Sequence, residues 1–403
     1  MNNKFLILLY SLWALVLVTS GCTKVEYTKV ENPAYLRVFN NFNYGFTLGE
    51  KDVKVPFLCM LINPEYGADG KIKGAEIVGD FLDIRNSYAP PYPSHIGSST
   101  SVNNPEYPGK ENVLVAPIVN GYDLSSWAQI PSGNLRFVFL YRPKNDIPYF
   151  QLEGHLKDDI MLDTTVSLTA SEVYTMHLLQ KDFQTKENGL LLRQEIFHKL
   201  PLSDELVYTN FYNYSAKGFV QSPDDAKPKN FRNGKFQYGI QDKMDIYLTI
   251  YPDENLSNMG SNYRSNALKG YNGVYLTTIE RNSTSDAVAP YINFPLFANP
   301  ADDKIKTASW QSFDFFRPGI NPTNNTYFGG DVNTGGNWAV LNCYRNGQGL
   351  TGINSAGTLP NMLVSIHSGT YNPRTFATVN TVEVVNGGIY MMTVQRKYPA
   401  PSY

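Results

Sequence analysis

The sequence predicts an all-β protein: two tandem antiparallel β-sandwiches behind a secretory signal. Three observations carry this. Charged residues make up only 17% of the 403-residue chain while Tyr (28) and Phe (22) are abundant, and low charge with many aromatic and β-branched residues favours strands. Short apolar runs recur with Gly, Pro and Asn between them, as sandwich strands do. An opening strand and a closing hairpin each occur twice.

Lys4 precedes an apolar run from Phe5 to Val18, and Thr19-Ser20-Gly21-Cys22 follows. A basic start, an apolar middle and a small-residue cleavage site read as a secretory signal. The run is short of the ~20 residues that span a bilayer as a helix. Cys22 behind Gly21 resembles a bacterial lipobox, with Thr19 where leucine is usual; a plain secretory signal with an incidental Cys is the alternative. The resemblance implies a diacylglycerol on the Cys22 thiol, cleavage before it, and an acylated (palmitate-type) amino terminus. Acyl chains, at ~0.8 kcal/mol per buried methylene, would hold the mature protein on a membrane. Residues 1–21 are thus a lipoprotein signal peptide and 22–33 an acylated polar tether.

The first strand is expected at Tyr35–Asn40 and the next at Val53–Cys59, where Pro56 argues for an edge or a bulge. Asp69-Gly70 reads as a turn. Residues 85–112, with five prolines among Ser, Asn and Tyr, read as a long surface loop. Strands are then expected at Val113–Val119, Leu135–Tyr141, Tyr149–Leu152, Thr165–Thr169 and Val173–Leu179. Leu190–Leu200 fits a short helix or a strand. Further strands are expected at Val207–Asn213, Met244–Ile250, Val274–Ile279, Trp310–Phe316, Trp338–Tyr344, Met362–His367 and Thr375–Val385, with a second irregular stretch at Arg317–Asn337. Met244, Ile246, Leu248 and Ile250 alternate with more polar residues, as on a half-buried strand.

Val166, Leu168, Tyr174, Met176 and Leu178 match Val382, Val384, Tyr390, Met392 and Val394, so each set reads as a hairpin. The openings Arg37-Val38-Phe39-Asn40 and Asn210-Phe211-Tyr212-Asn213 also echo one another. This predicts a first sandwich over 34–200 and a second over 201–403, with the boundary near Leu200–Asp204.

Arg37-Val38-Phe39-Asn40, Met244-Asp245-Ile246-Tyr247 and Tyr174-Thr175 look like the opening strand, middle strand and closing hairpin of the Ig-like repeats called domain of unknown function 4397. The layout resembles that family of bacterial, notably Bacteroidetes-type, lipoproteins. The resemblance implies an Ig-like extracytoplasmic sandwich and no assigned activity.

The formal charge of -2 gives no basic stripe for nucleic acid. His95, His155, His177, His198 and His367 show no metal-ligand spacing, and no phosphate-binding loop or nucleophile elbow occurs. No cofactor or metal is therefore expected. His177 is expected to meet solvent or a loop. Cys59 and Cys343 read as buried singles, with a bridge as the alternative. Asp158-Asp159, Asp224-Asp225 and Asp302-Asp303 read as solvated turns. Glu65, Asp69, Gly70, Ile72 and Glu76 fall near calcium-loop spacing, but Gly67 occupies a ligand position and a hairpin turn accounts for the same residues. Tyr88, Tyr92 and Tyr107 in the first loop, and Tyr327 and Trp338 in or beside the second, are the candidate binding residues. Aromatics there stack on sugars or anchor partners, or else pack the loop onto its own sheet.

Together these features predict a non-enzymatic lipoprotein of the cell outer membrane, on its periplasmic face or at the cell surface. Its role would be binding, adhesion or envelope assembly, with a glycan or an envelope protein as partner. A glycan-binding accessory of a nutrient-uptake system, a pilin-like subunit and a hydrolase with an unrecognised site are the alternatives.

Overall fold

The computed structural model describes residues 29–42, 57–85, 91–93, 113–223, 241–251, 268–295, 310–316, 318–319, 377–386 and 388–396, with short strand pieces between 340 and 364. In chain order the strands are β1 (Ala34–Asn40), β2 (Leu58–Tyr66), β3 (Ile72–Leu82), β4 (Ile118–Val119), β5 (Tyr122–Asp123), β6 (Ala128–Ile130) and β7 (Gly133–Tyr141). They continue with β8 (Ile160–Leu168), β9 (Val173–Asp182), β10 (Glu187–Glu195), β11 (Leu206–Asn213), β12 (Lys243–Tyr251), β13 (Val274–Glu280) and β14 (Ile292–Pro295). The last are β15 (Trp310–Phe316), β16 (Val340–Leu341), β17 (Tyr344–Arg345), β18 (Gln348–Gly349), β19 (Asn361–Val364), β20 (Thr378–Val385) and β21 (Gly388–Gln395).

The strands make all-β sandwiches in which one pattern occurs twice. The first pairs sheet β10-β9-β1-β6 with sheet β3-β2-β7-β8; the second pairs β21-β20-β11-β14 with β13-β12-β15-β19-β16. In each, the opening strand runs parallel to a late strand, β1 to β9 and β11 to β20, and every other neighbour common to both sandwiches is antiparallel. Asn40 pairs with Leu178 and Asn213 with Val384, so the two asparagines hold equivalent positions. Both work alike. Asn40 Nδ2 donates to Leu82 O at 3.1 Å and its Oδ1 accepts from Phe42 N; Asn213 Nδ2 donates to Gln241 O at 2.9 Å and its Oδ1 accepts from Ser215 N. Each asparagine thereby ties the end of its opening strand to the facing sheet.

The duplicated hairpins are not the pair expected. β20 and β21 form a hairpin, with Val385 opposite Gly388 and the turn starting at Asn386, whose φ of 50° asparagine tolerates. β8 and β9 do not. β8 pairs with β7, the chain crosses to the other sheet through 169–172, and β9 pairs with β1 and β10. The counterpart of β20–β21 is β9–β10, so the sequence match joined strands one place apart. Alternation alone allowed this, because β8 and β9 also present apolar residues at every second position.

Other elements differ for local reasons. Tyr149–Gln151 is a 3-10 turn, not a strand: Pro148 precedes it, and the Tyr149 N–H donates to Asp80 Oδ2 at 2.7 Å in place of a ladder partner. Leu190–Leu200 is mostly strand. In Glu187–Glu195 one face is buried and the other carries the half-buried Leu190 and Leu192, which produces the apolar run that also fits a helix, and a 3-10 turn at Phe197–Lys199 ends it. β2 is a central strand with ladder irregularities at both ends, not an edge; Val53–Pro56 lie outside the described residues. Asp69–Gly70 is the β2–β3 turn, with the Asp69 carboxylate taken by Lys71 N and the Lys73 ammonium.

Each sandwich has its own core. Leu36, Val38, Met60, Phe137, Phe139, Met176 and Leu178 pack in the first; Phe211, Met244, Ile246, Leu248, Phe313 and Val382 pack in the second. A third cluster, with Tyr35, Trp127, Val173, Phe197, Tyr208, Val379 and Val394, takes residues from both halves. The two sandwiches therefore share a buried seam. Large apolar side chains of this kind contribute ~1.5–3 kcal/mol each when fully buried.

Candidate functional site at the seam

Strand alternation sets up the seam. Leu36 and Val38 of β1 turn into the first core, so Tyr35, Arg37 and Phe39 face outward. β9 sends Thr175, His177 and Leu179 outward, and β10 sends Leu191, Arg193 and Glu195. β11 and β20 answer with Tyr208, Asn210, Tyr212, Thr381 and Glu383. All of these residues are buried. Apolar clusters close both ends, and charges occupy the middle.

Glu383 is the hub. Its carboxylate accepts from Arg85 Nη1 at 2.5 Å and lies 2.9 Å from Arg193 Nη2 and 3.3 Å from His177 Nε2. Arg193 also donates to Glu195 Oε1 at 3.0 and 2.8 Å and to the Tyr214 hydroxyl at 2.6 Å. Burial would raise the Glu383 pKa, but His177, Arg85 and Arg193 hold it well below the carboxylate range. Burial opposes the Arg193 charge, and Glu195, Tyr214 and Glu383 more than offset this.

Among the described residues no carboxylate forms an ion pair with Arg37. Its guanidinium stacks 3.8 Å from the Trp127 ring, donates to Ser126 O, and reaches Met392 Sδ across the seam. Burial and Arg85 push its pKa down to about 9, which leaves it charged at neutral pH. Asn41 Nδ2 donates to His177 Nδ1 at 2.8 Å, and Arg85 donates to Asn41 Oδ1, which fixes that amide. The imidazole proton is therefore on Nε2, facing Glu383. Burial pushes the His177 pKa down, and the tautomer agrees with a neutral ring.

Among the described residues, two clefts open beside the seam. One, of about 470 Å³, lies in the second sandwich between Tyr212, Thr277, Thr278 and Asn282. The other, of about 560 Å³, lies where the halves join, lined by Tyr122 of the β4–β5 hairpin, His198 and Pro201 of the connector, and Arg396 after β21.

The expected site residues fall as follows. Tyr92 is buried in the first core at 1% exposure, its backbone bridging Val38. It packs the loop onto its own sheet and offers no surface to a ligand. Tyr88, Tyr107, Tyr327, Trp338 and Cys22 lie outside the described residues, as do His95, His367, Cys343 and four of the paired aspartates. His177 was expected at solvent or under a loop; it is fully buried, because the outward face of β9 is covered by the second sandwich. His155 is exposed beside Glu153. Cys59 is buried under Tyr149 and Leu152. Among the described residues no group of three metal-ligating side chains converges, and no helix is long and apolar enough to cross a membrane.

The charged seam itself was missed. Its signal was available: Arg37, His177 and Glu383 each stand between apolar neighbours in strand-like runs, where a solvated face would carry several polar residues. In comparisons with known proteins, no family model and no curated protein matches this chain.

Proposed function

We propose that this is an extracytoplasmic lipoprotein, anchored at the outer membrane through an acylated Cys22, with a non-catalytic role in binding, adhesion or envelope assembly. The observation that carries the non-catalytic reading is the sealing of His177 and Glu383 at 0% exposure inside the seam. A histidine–carboxylate pair closed to solvent joins two sandwiches and cannot meet a substrate. A scaffold so joined leaves recognition to its loops, where binding residues concentrate. Tyr88, Tyr107, Tyr327 and Trp338 are the loop aromatics this reading assigns to a glycan or envelope-protein partner. The resemblance to domain of unknown function 4397 supports an Ig-like extracytoplasmic module. The pilin-like alternative is less favoured: β1 lies between two neighbours, and β21 is held along its length by β20.

The test is fractionation with metabolic labelling. Cys22→Ser should move the protein out of the membrane fraction and abolish incorporation of a fatty-acid analogue. Labelling that persists in the variant removes the anchor from the proposal.

A further inference from the structure

The cleft of about 560 Å³ at the junction holds polar groups that the fold leaves unused. Arg396 is 4% exposed. Its Nη2 donates to Ser203 O at 2.5 Å and to Leu206 O at 2.8 Å, which anchors the guanidinium. Among the described residues its Nε and Nη1 are buried without a well-formed hydrogen bond, with the Tyr122 hydroxyl close by and the Tyr208 ring 5.2 Å from the guanidinium. His198, also 4% exposed, has an unpartnered Nδ1. Its backbone is fixed by Asn120, whose Nδ2 donates to His198 O at 2.8 Å, and its ring packs against Phe197. Both residues line the same cleft, together with Tyr122.

Buried polar atoms are nearly always satisfied, and an unsatisfied one calls for an explanation. A guanidinium with open N–H groups is more demanding than a neutral group, since burying a charge without partners is costly. The rest of the lining shows what would satisfy it. Lys199 is tied to Glu172 outside the cleft, and Asp204 on the rim is the acidic lining residue. Burial and the neighbouring Lys199 hold His198 neutral, so its Nδ1 can take either side of a hydrogen bond. Pro201, Leu200 and Leu202 supply an apolar wall.

We propose that this cleft binds a small carboxylate ligand of monosaccharide size, with the carboxylate on Arg396 and a hydroxyl on His198. The volume lies inside the usual small-molecule range of about 300–1,000 Å³. Arginine's planar array of donors suits a carboxylate. The site takes residues from both sandwiches and from the connector, so it exists only while the halves are joined. The proposal does not depend on the lipid anchor.

The test uses the full-length protein in detergent, with isothermal titration calorimetry and thermal shift against galacturonate, succinate and galactose. Galacturonate binding with one-to-one stoichiometry identifies an acidic sugar; succinate binding alone identifies a simple organic acid. Galactose should not bind. Arg396→Lys keeps the charge and loses the guanidinium donors, and should weaken the preferred ligand about tenfold or more. If that variant does not fold, His198→Phe, which puts an apolar ring at the cleft wall, should abolish binding instead. Failure of both carboxylates to bind the wild type in the millimolar range overturns the proposal. So does undiminished affinity in a folded variant, or galactose binding as well as galacturonate.

Discussion

The first sandwich brings mostly cations to the seam, with Glu195 held by its own Arg193, and the second brings the carboxylate of Glu383, although the two share one strand plan. The contrast is sharpest at one position. His177 pairs with Phe39 in the first sandwich, and Glu383 pairs with Tyr212 in the second, each next to the asparagine pair that ends its opening strand. Equivalent residues thus meet each other across the seam at 3.3 Å. Two copies of either residue would place like groups together in a buried space. Divergence at one pair of equivalent positions converts a repeated surface into a complementary one, and Arg85 and Arg193 add their charges on the histidine side.

The largest effect should come from breaking this complementarity at its hub. Glu383→Gln leaves Arg85 without its buried counter-charge and Arg193 with Glu195 alone, and removing one member of such a network costs about 3–5 kcal/mol. Chemical denaturation should show that loss; a loss under about 1 kcal/mol would mean the cations find water or another partner. His177→Gln, at the equivalent position, should cost less, about 1–2 kcal/mol, because a neutral ring gives up hydrogen bonds but no charge. Equal costs for the two substitutions would erase the distinction between the halves.

Where the halves are alike, their responses should be alike. Asn40→Ala and Asn213→Ala each remove a donor to the facing sheet and an acceptor for the residue two further on. Each should cost about 1–3 kcal/mol. A large cost at one site and none at the other would show that the shared pattern is not a shared support.

Acid should weaken the seam in two windows. His177 has a folded pKa below 6.5, so the unfolded chain takes up its proton first and stability falls as pH drops through and below 6.5. Glu383 has a folded pKa well below 4.5, so its contribution is present above 4.5 and is lost as pH falls toward the folded value. Each group adds a slope of at most about 1.4 kcal/mol per pH unit. Unfolding free energies from pH 7.5 to 5 should become less steep in His177→Gln, with His198, whose pKa burial also lowers, supplying remaining slope, and keep their full slope in Asn40→Ala. The smallest effect belongs to the surface: Asp69→Ala removes an exposed pair with Lys73 and a turn hydrogen bond from Lys71 N, and should leave the unfolding midpoint nearly unchanged.

The all-β architecture and its repetition were legible because a period of two is written in the residues themselves. Met244 to Ile250 shows it plainly, and Arg37–Asn40 and Asn210–Asn213 are equivalent in register as the sequence implied. Pairing was less legible. β8 and β9 carry the alternation of a hairpin, but which strands neighbour each other depends on crossovers that period two does not record. The seam was only partly legible for a related reason: lone charges between apolar neighbours mark it at Arg37, His177 and Glu383, but such a charge does not say whether water or a second sandwich covers it. Arg396 and His198 were harder still, since they lie far apart in sequence and meet only when the halves join.

Calorimetric unfolding of the full chain tests that joining most directly. If the seam couples the sandwiches, wild type should unfold in one transition, with calorimetric and van't Hoff enthalpies in agreement, and Glu383→Gln should split it into two. Two well-separated transitions in the wild type, or a single transition in Glu383→Gln at an unchanged midpoint, would contradict the account.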